Sequence, residues 1–123
     1  MNVVDSCGWL EYFADGSNAG FFAAAIEDIS QLLVPTTSLY EVFRRVLQQR
    51  DESDALEAVA AMQQGQVVDL DAVVALSAAK ISATYKLPMA DSIMLATARI
   101  HDATLWTQDA VLKGQEGVQY IEK

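Results

Sequence analysis

The sequence predicts an α/β protein, a three-layer α/β/α sandwich around a central parallel sheet of about five short strands. Three observations carry that prediction. Short apolar runs recur along the chain, helical stretches separate them, and hydrophobic residues make up 52% of 123 positions, enough for a core without disulfide or metal staples. Apolar strands that alternate with helices indicate a parallel sheet covered on both faces.

The elements follow in order. Asn2 to Asp5 reads as a short buried strand, and Ser6 caps a helix with Trp9, Leu10 and Phe13 on one face. Asn18 caps a second helix carrying Phe22, Ala25, Ile26 and Ile29; Leu32 to Val34 is the next strand, ended by Pro35. Thr37 or Ser38 opens a third helix with Tyr40, Phe43, Val46 and Leu47 inward. Asp51 starts a fourth with Leu56, Val59 and Ala60, and the two form a helical hairpin. Gly65 ends the hairpin and Val67 to Leu70 is a third strand. Asp71 then caps a helix with Val74, Ala78, Ile81 and Tyr85 in one stripe. Pro88 breaks the pattern before a sixth helix, about Met89 to Ile100, with Met89, Ile93, Ala96 and Ile100 facing in. The strand Thr104 to Thr107 follows, and Gln119 to Ile121 is a last edge strand.

Length and composition exclude several classes. A chain of this size is expected to be one domain, residues 1–123. One cysteine, Cys7, and one histidine, His101, make neither an internal disulfide nor the usual zinc site, which points to a reducing compartment. The start MNVVDS lacks the basic segment and apolar run of a signal peptide, and the uncharged stretch from Ile29 to Tyr40 contains Pro35 and is too short to span a bilayer. A soluble, cytoplasmic protein with no membrane association is expected. The formal charge of −9 argues against nucleic-acid binding through a broad basic surface. That objection weakens if several acids converge on divalent cations, because two bound ions would cancel four negative charges.

In open α/β sheets, ligands bind beyond the carboxyl ends of the strands. Asp5 closes the first strand in VVDS and Asp109 follows a late strand in LWTQD, so both carboxylates project past the same sheet edge. Asp91, in PMADSIM, opens a helix, where a carboxylate also serves as an ordinary cap. Glu41, in TSLYEVFRR, lies in the first turn of a helix that follows a strand; its ordinary role is an ion pair with Arg45, worth about 0.2–0.5 kcal/mol. Together the four place an oxygen-only donor set at one edge. Such a set suits magnesium or manganese rather than zinc or copper, and suits metal-assisted phosphodiester cleavage.

The segments VVDSCGWLEYF, TTSLYEVFRR, ADSIMLATAR and LWTQD, in this order and spanning nearly the whole chain, resemble the PIN-domain signature of VapC-type toxins. The resemblance implies a three-layer sandwich and a metal-dependent endoribonuclease, the toxin of a type II toxin-antitoxin system. It implies an RNA substrate, a cognate antitoxin and a homodimer. It assigns metal-binding and catalytic roles to Asp5, Glu41, Asp91 and Asp109, with Mg2+ or Mn2+ as cofactor, and supporting roles to Ser6 and Thr107. One departure is the sequence Ala110, Val111, Leu112 after the last acid, where the family often has an aromatic or His-Phe pair.

Arg44 and Arg45, one turn from Glu41, are candidate RNA contacts, although solvated charge is an equally ordinary role. His101 near a helix end complements its dipole, Trp9 and Trp106 read as packing residues, and Cys7, with no histidine near it in sequence, reads as a small buried residue. Other classes fit less well. A haloacid dehalogenase-like phosphatase wants an acid two residues after Asp5, where Cys7 stands. A receiver domain wants an acidic pair after the first strand, where Val4 precedes Asp5 and Ser6 follows it. A degenerate PIN-like partner-binding domain would use the four acids as caps.

Overall fold

The strands Asn2–Val4 (β1), Leu32–Pro35 (β2), Gln66–Val68 (β3), Thr104–Thr107 (β4) and Val118–Tyr120 (β5) form one sheet in the order β3-β2-β1-β4-β5. Every pairing is parallel. The computed structural model describes residues 1–123. Its helices are Ser6–Phe13 (α1), Ala19–Ile26 (α2), Thr36–Gln49 (α3), Glu52–Met62 (α4), Ala72–Tyr85 (α5) and Met89–Ile100 (α6). Short 3-10 turns at Ile29–Gln31 and Ala110–Leu112 complete the connections.

Successive residues of a strand point to opposite faces, and here both faces are apolar. Val3, Leu33 and Leu105 pack beneath α5 and α6 with Val74, Ala78, Ile81, Met94 and Leu95. Val4, Leu32 and Val34 pack on the other side with Trp9, Phe22, Ala25, Val42 and Met62 from α1 to α4. Each fully buried side chain of this kind is worth about 1.5–3 kcal/mol over its exposed state, so the two clusters fix the three layers. The chain winds from β1 out to β2 and β3, then returns to the other side of β1 to lay down β4 and β5. Connections therefore diverge between β1 and β4, whose register pairs Val4 with Trp106. That is where the crevice of an open sheet forms. No helix is long and apolar enough to cross a membrane.

Several details differ from the sequence reading. The residue that caps α1 is Asp5, whose carboxylate accepts the Ser6 N–H at 2.8 Å; Ser6 is already the first helical residue. Asn18 occupies the N-cap position of α2, yet its side chain makes no capping bond. α2 ends at Ile26, and Ile29 lies exposed in the 3-10 turn. On α3 the inward line is Ser38 and Val42 with Val46 partly buried, while Tyr40 and Leu47 are exposed. On α4, Ala55, Ala58 and Met62 are buried and Leu56 is not; Tyr85, Met89 and Ile100 are likewise exposed. α6 is enclosed along most of its length, with Ser92 to Ala98 buried without interruption, because it lies over the sheet and against α5.

Candidate metal centre

Asp5 follows β1 directly. Its backbone N–H donates to the Trp106 carbonyl at 2.9 Å, which ties the end of β1 to β4 and turns the carboxylate toward the β1/β4 crevice. One carboxylate oxygen accepts the Ser6 N–H, and the other accepts the Thr107 hydroxyl at 2.8 Å. Thr107, the buried last residue of β4, accepts the Asp109 N–H on the same hydroxyl oxygen at 2.9 Å. One hydroxyl thus couples the first and last acids. Asp109 in turn caps the turn after β4 by accepting the Val111 N–H at 3.0 Å.

Asp91 arrives from the opposite layer. The α5–α6 turn that presents it is held by Lys86 in the left-handed conformation (φ 59°), by the Ser82 hydroxyl donating to the Leu87 carbonyl at 2.8 Å, and by the Ser92 hydroxyl donating to the Pro88 carbonyl at 2.8 Å. Pro88 holds the N-cap position of α6, and Asp91, third in the helix, bonds to no backbone N–H. Asp91 therefore does not serve as a side-chain cap. Its carboxylate faces that of Asp109 across the crevice. Carboxylate oxygens of Asp5, Asp91 and Asp109 all lie within 4.8 Å of one another.

Glu41 stands outside this triad on the same cleft. Its Oε1 accepts the Ser6 hydroxyl at 2.6 Å, and the expected pairing with Arg45 does not form; the sole ion pair in the protein is Arg50–Asp54 on the surface. Asp5, Ser6, Glu41, Arg44, Arg45, Asp91 and Asp109 all line one cleft of about 470 Å3. Its rim is formed in part by Tyr40, Leu10 and Ala90.

The electrostatics follow from burial and like charge. Burial drives the Asp5 carboxyl above its usual range, against the hydrogen bonds from Thr107 and Ser6 that lower it. Burial, then the negative charges of Asp109 and Asp5, push Asp91 up to about 7. Three crowded carboxylates that cannot all hold charge comfortably are what a divalent cation relieves. The donors are oxygen only, without histidine, and so fit a hard ion such as Mg2+ or Mn2+.

Two features, one in the cleft and one behind it, are not announced by the sequence. Cys7 is half-buried and lines the cleft, its sulfur 3.6 Å from both the Asp5 carboxylate and the Thr107 hydroxyl. Burial, and then the Asp5 charge, push its thiol up to about 12, so it is a neutral donor rather than a nucleophile. Gln108, between Thr107 and Asp109, is buried and bonded to Asn18. Of the residues read as packing, Trp9 is buried and stacks on Phe13 at 5.7 Å, and Trp106 donates its indole N–H to Asn2 at 2.8 Å. His101 bonds the Thr97 carbonyl at the end of α6, remote from the cleft.

The family model of the PIN domain matches residues 3–116. The chain belongs to the PIN-domain family. Among solved structures, this PIN domain is similar to the toxin-antitoxin complex from Klebsiella pneumoniae, with a TM-score of 0.85 and 21% identity over all of both chains. It is also similar to DNA-bound VapBC from Salmonella typhimurium (TM-score 0.76, 13% identity, 99% of this chain and 97% of that one). A third is VapC20 from Mycobacterium tuberculosis, described as a sarcin-ricin loop cleaving toxin (TM-score 0.70, 14% identity, 85% of each chain). At these identities the likeness is one of fold. No curated protein matches this PIN domain by sequence.

Proposed function

We propose that this PIN domain is a metal-dependent endoribonuclease and the toxin of a type II toxin-antitoxin pair. The observation that carries the reading is the convergence of Asp5, Asp91 and Asp109 within 4.8 Å at the β1/β4 crevice, in a chain whose family model covers residues 3–116. Asp5, Asp91 and Asp109 hold Mg2+ or Mn2+, and Glu41, steered by Ser6, completes the acidic wall of the cleft. A bound cation there supplies Lewis acidity, acidifying a water and offsetting charge that builds on a phosphodiester. Thr107 keeps Asp5 oriented by donating to it, and Arg44 and Arg45, free of ion pairs on the rim, receive the phosphates of the RNA chain.

The partners follow from exposed apolar surface. Leu39, Tyr40, Phe43, Leu47 and Val59 line a groove of about 500 Å3 that adjoins the cleft through Tyr40 and Arg44. An amphipathic segment of the antitoxin seats there. Val73 and Leu76 on α5 and Met89 on α6 are 65–76% exposed, and this side pairs with a second copy in a homodimer. Cytoplasmic RNA is the substrate.

The test is cleavage of a pool of structured RNAs with Mn2+, with chelator, and by the Asp5→Asn and Asp91→Asn variants. Cleavage that requires both the metal and each aspartate, with variants that still fold, is expected. Variants that cleave like the parent would take the aspartates out of the reaction, and a parent that neither cleaves RNA nor binds Mn2+ in calorimetry would leave a partner-binding domain whose acids are structural.

A further inference from the structure

Asn18 sits where a side chain would ordinarily cap α2, but it caps nothing. Its amide nitrogen instead donates twice, to the Gln108 side-chain oxygen at 3.0 Å and to the Glu122 carbonyl at 3.0 Å. The second bond settles the orientation of the amide, because a backbone carbonyl only accepts; the Asn18 nitrogen faces both partners and Gln108 must present its oxygen. Asn18 is itself anchored, since its backbone N–H donates to the Glu11 carboxylate of α1 at 2.9 Å. Gly16 leaves room for that carboxylate, and a side chain at Gly16 would run into it.

Gln108 is the residue between Thr107, whose hydroxyl holds Asp5, and Asp109, whose N–H bonds that same hydroxyl. Its side chain is buried and is bonded to Asn18 on the side away from the cleft. The turn that sets the spacing of two carboxylates is therefore held from outside by the Asn18 amide on a surface loop, alongside the Ile121 N–H that donates to the Thr107 carbonyl at 3.0 Å. We infer that Asn18 is a positioning residue for the metal centre: through Gln108 it fixes the Thr107–Asp109 turn and hence the spacing of Asp109 from Asp5. The inference rests on the metal-binding reading of the three aspartates. Partners that orient metal ligands typically contribute about 10–100-fold in metal affinity, and Asn18, one bond further out, belongs at the lower end.

Calorimetric titration with Mn2+ tests this on the whole protein and four variants: Asn18→Ala, Gln108→Met, the two combined, and Asn18→Asp. Thermal melts in chelator accompany each. Asn18→Ala is expected to weaken Mn2+ binding about tenfold while the melt in chelator hardly moves, because Asn18 is a partly exposed loop residue. Gln108→Met keeps the buried volume and removes the acceptor, and the double variant should bind no more weakly than Gln108→Met alone, since both act through one bond. Asn18→Asp should recover part of the affinity, because the Gln108 amide can turn and donate to the new carboxylate while the Glu122 carbonyl loses its donor. Mn2+ affinity unchanged in Asn18→Ala, losses that add in the double variant, or Asn18→Asp as weak as Asn18→Ala would each overturn the inference alone. A parent protein that binds no Mn2+ would overturn it together with the nuclease reading.

Discussion

Asp91 is the residue whose charge state depends most on its neighbours. Its pKa, pushed up to about 7 by burial and by Asp109 and Asp5, lies above that of an unfolded aspartate, so the folded metal-free protein holds a proton that the unfolded chain gives up. The protonated carboxyl is stabilising at low pH, and that contribution is lost as pH rises through about 7. In chelator, the melting temperature should therefore fall between roughly pH 4 and 7 and level off above. Asp91→Asn should flatten that slope and melt higher than the parent at pH 8, while losing metal-dependent cleavage. A parent whose melting profile is flat over this range would show that the three carboxylates do not repel as placed. Cation binding must also displace that proton, so Mn2+ titrations near pH 7 should release a measurable fraction of one proton, read from the heats in buffers of different ionisation enthalpy. Ser6 acts on the other wall. Ser6→Ala frees Glu41 from its 2.6 Å bond, and a loss of about tenfold in cleavage with an unchanged melt is expected from an orienting group.

At the scale of elements, α1 decides how closely the first layer approaches the sheet. A Cβ on Gly8 would sit 2.6 Å from the Phe22 ring and 2.8 Å from a Val4 methyl, so α1 rests on β1 and α2 only because position 8 has no side chain. Gly8→Ala should destabilise the fold by about 1–3 kcal/mol through overpacking, even though alanine is the better helix former; equal or higher stability in urea unfolding would contradict the packing described. The order and type of elements were legible because apolar periodicity and punctuation by Pro35, Gly65 and Pro88 report them directly. Which face of each helix lies inward was less so. Tyr40 and Leu47 share a stripe with Phe43, yet α3 buries the Ser38–Val42 line, since periodicity gives a stripe but not the partner that covers it. The site shows the same division. Asp5 and Asp109 could be placed at one sheet edge from strand order alone, whereas Cys7 in the cleft, Ser6 on Glu41 and the Asn18–Gln108 bond depend on turns whose geometry no local pattern announces. Ser6 read as a cap because serine commonly is one; Asp5, one residue earlier and already extended, takes that place.

For the whole molecule the governing fact is charge. Seventeen acids against eight basic residues repel a polyanion over most of the surface, so the proposed RNA substrate would have to be captured locally, by cations at the aspartates and by Arg44 and Arg45 on the rim. Each phosphate neutralised by a basic side chain on single-stranded nucleic acid contributes about −0.7 to the slope of log affinity against log salt. Two arginines therefore give a slope of about −1.4, shallow beside a protein that binds through a broad basic face. Screening of the general repulsion at higher salt makes the observed slope shallower still. The second-order rate constant for RNA cleavage, measured at fixed Mn2+ over a tenfold range of potassium salt, should thus fall by no more than about 25-fold. Arg44→Ala or Arg45→Ala should lower the rate at low salt and flatten the slope by about 0.7, leaving the Mn2+ affinity unchanged. A steep slope would mean that a basic surface, such as one completed across a second copy of the chain, carries the RNA instead of these two side chains. A slope indifferent to both substitutions would remove them from the path of the substrate.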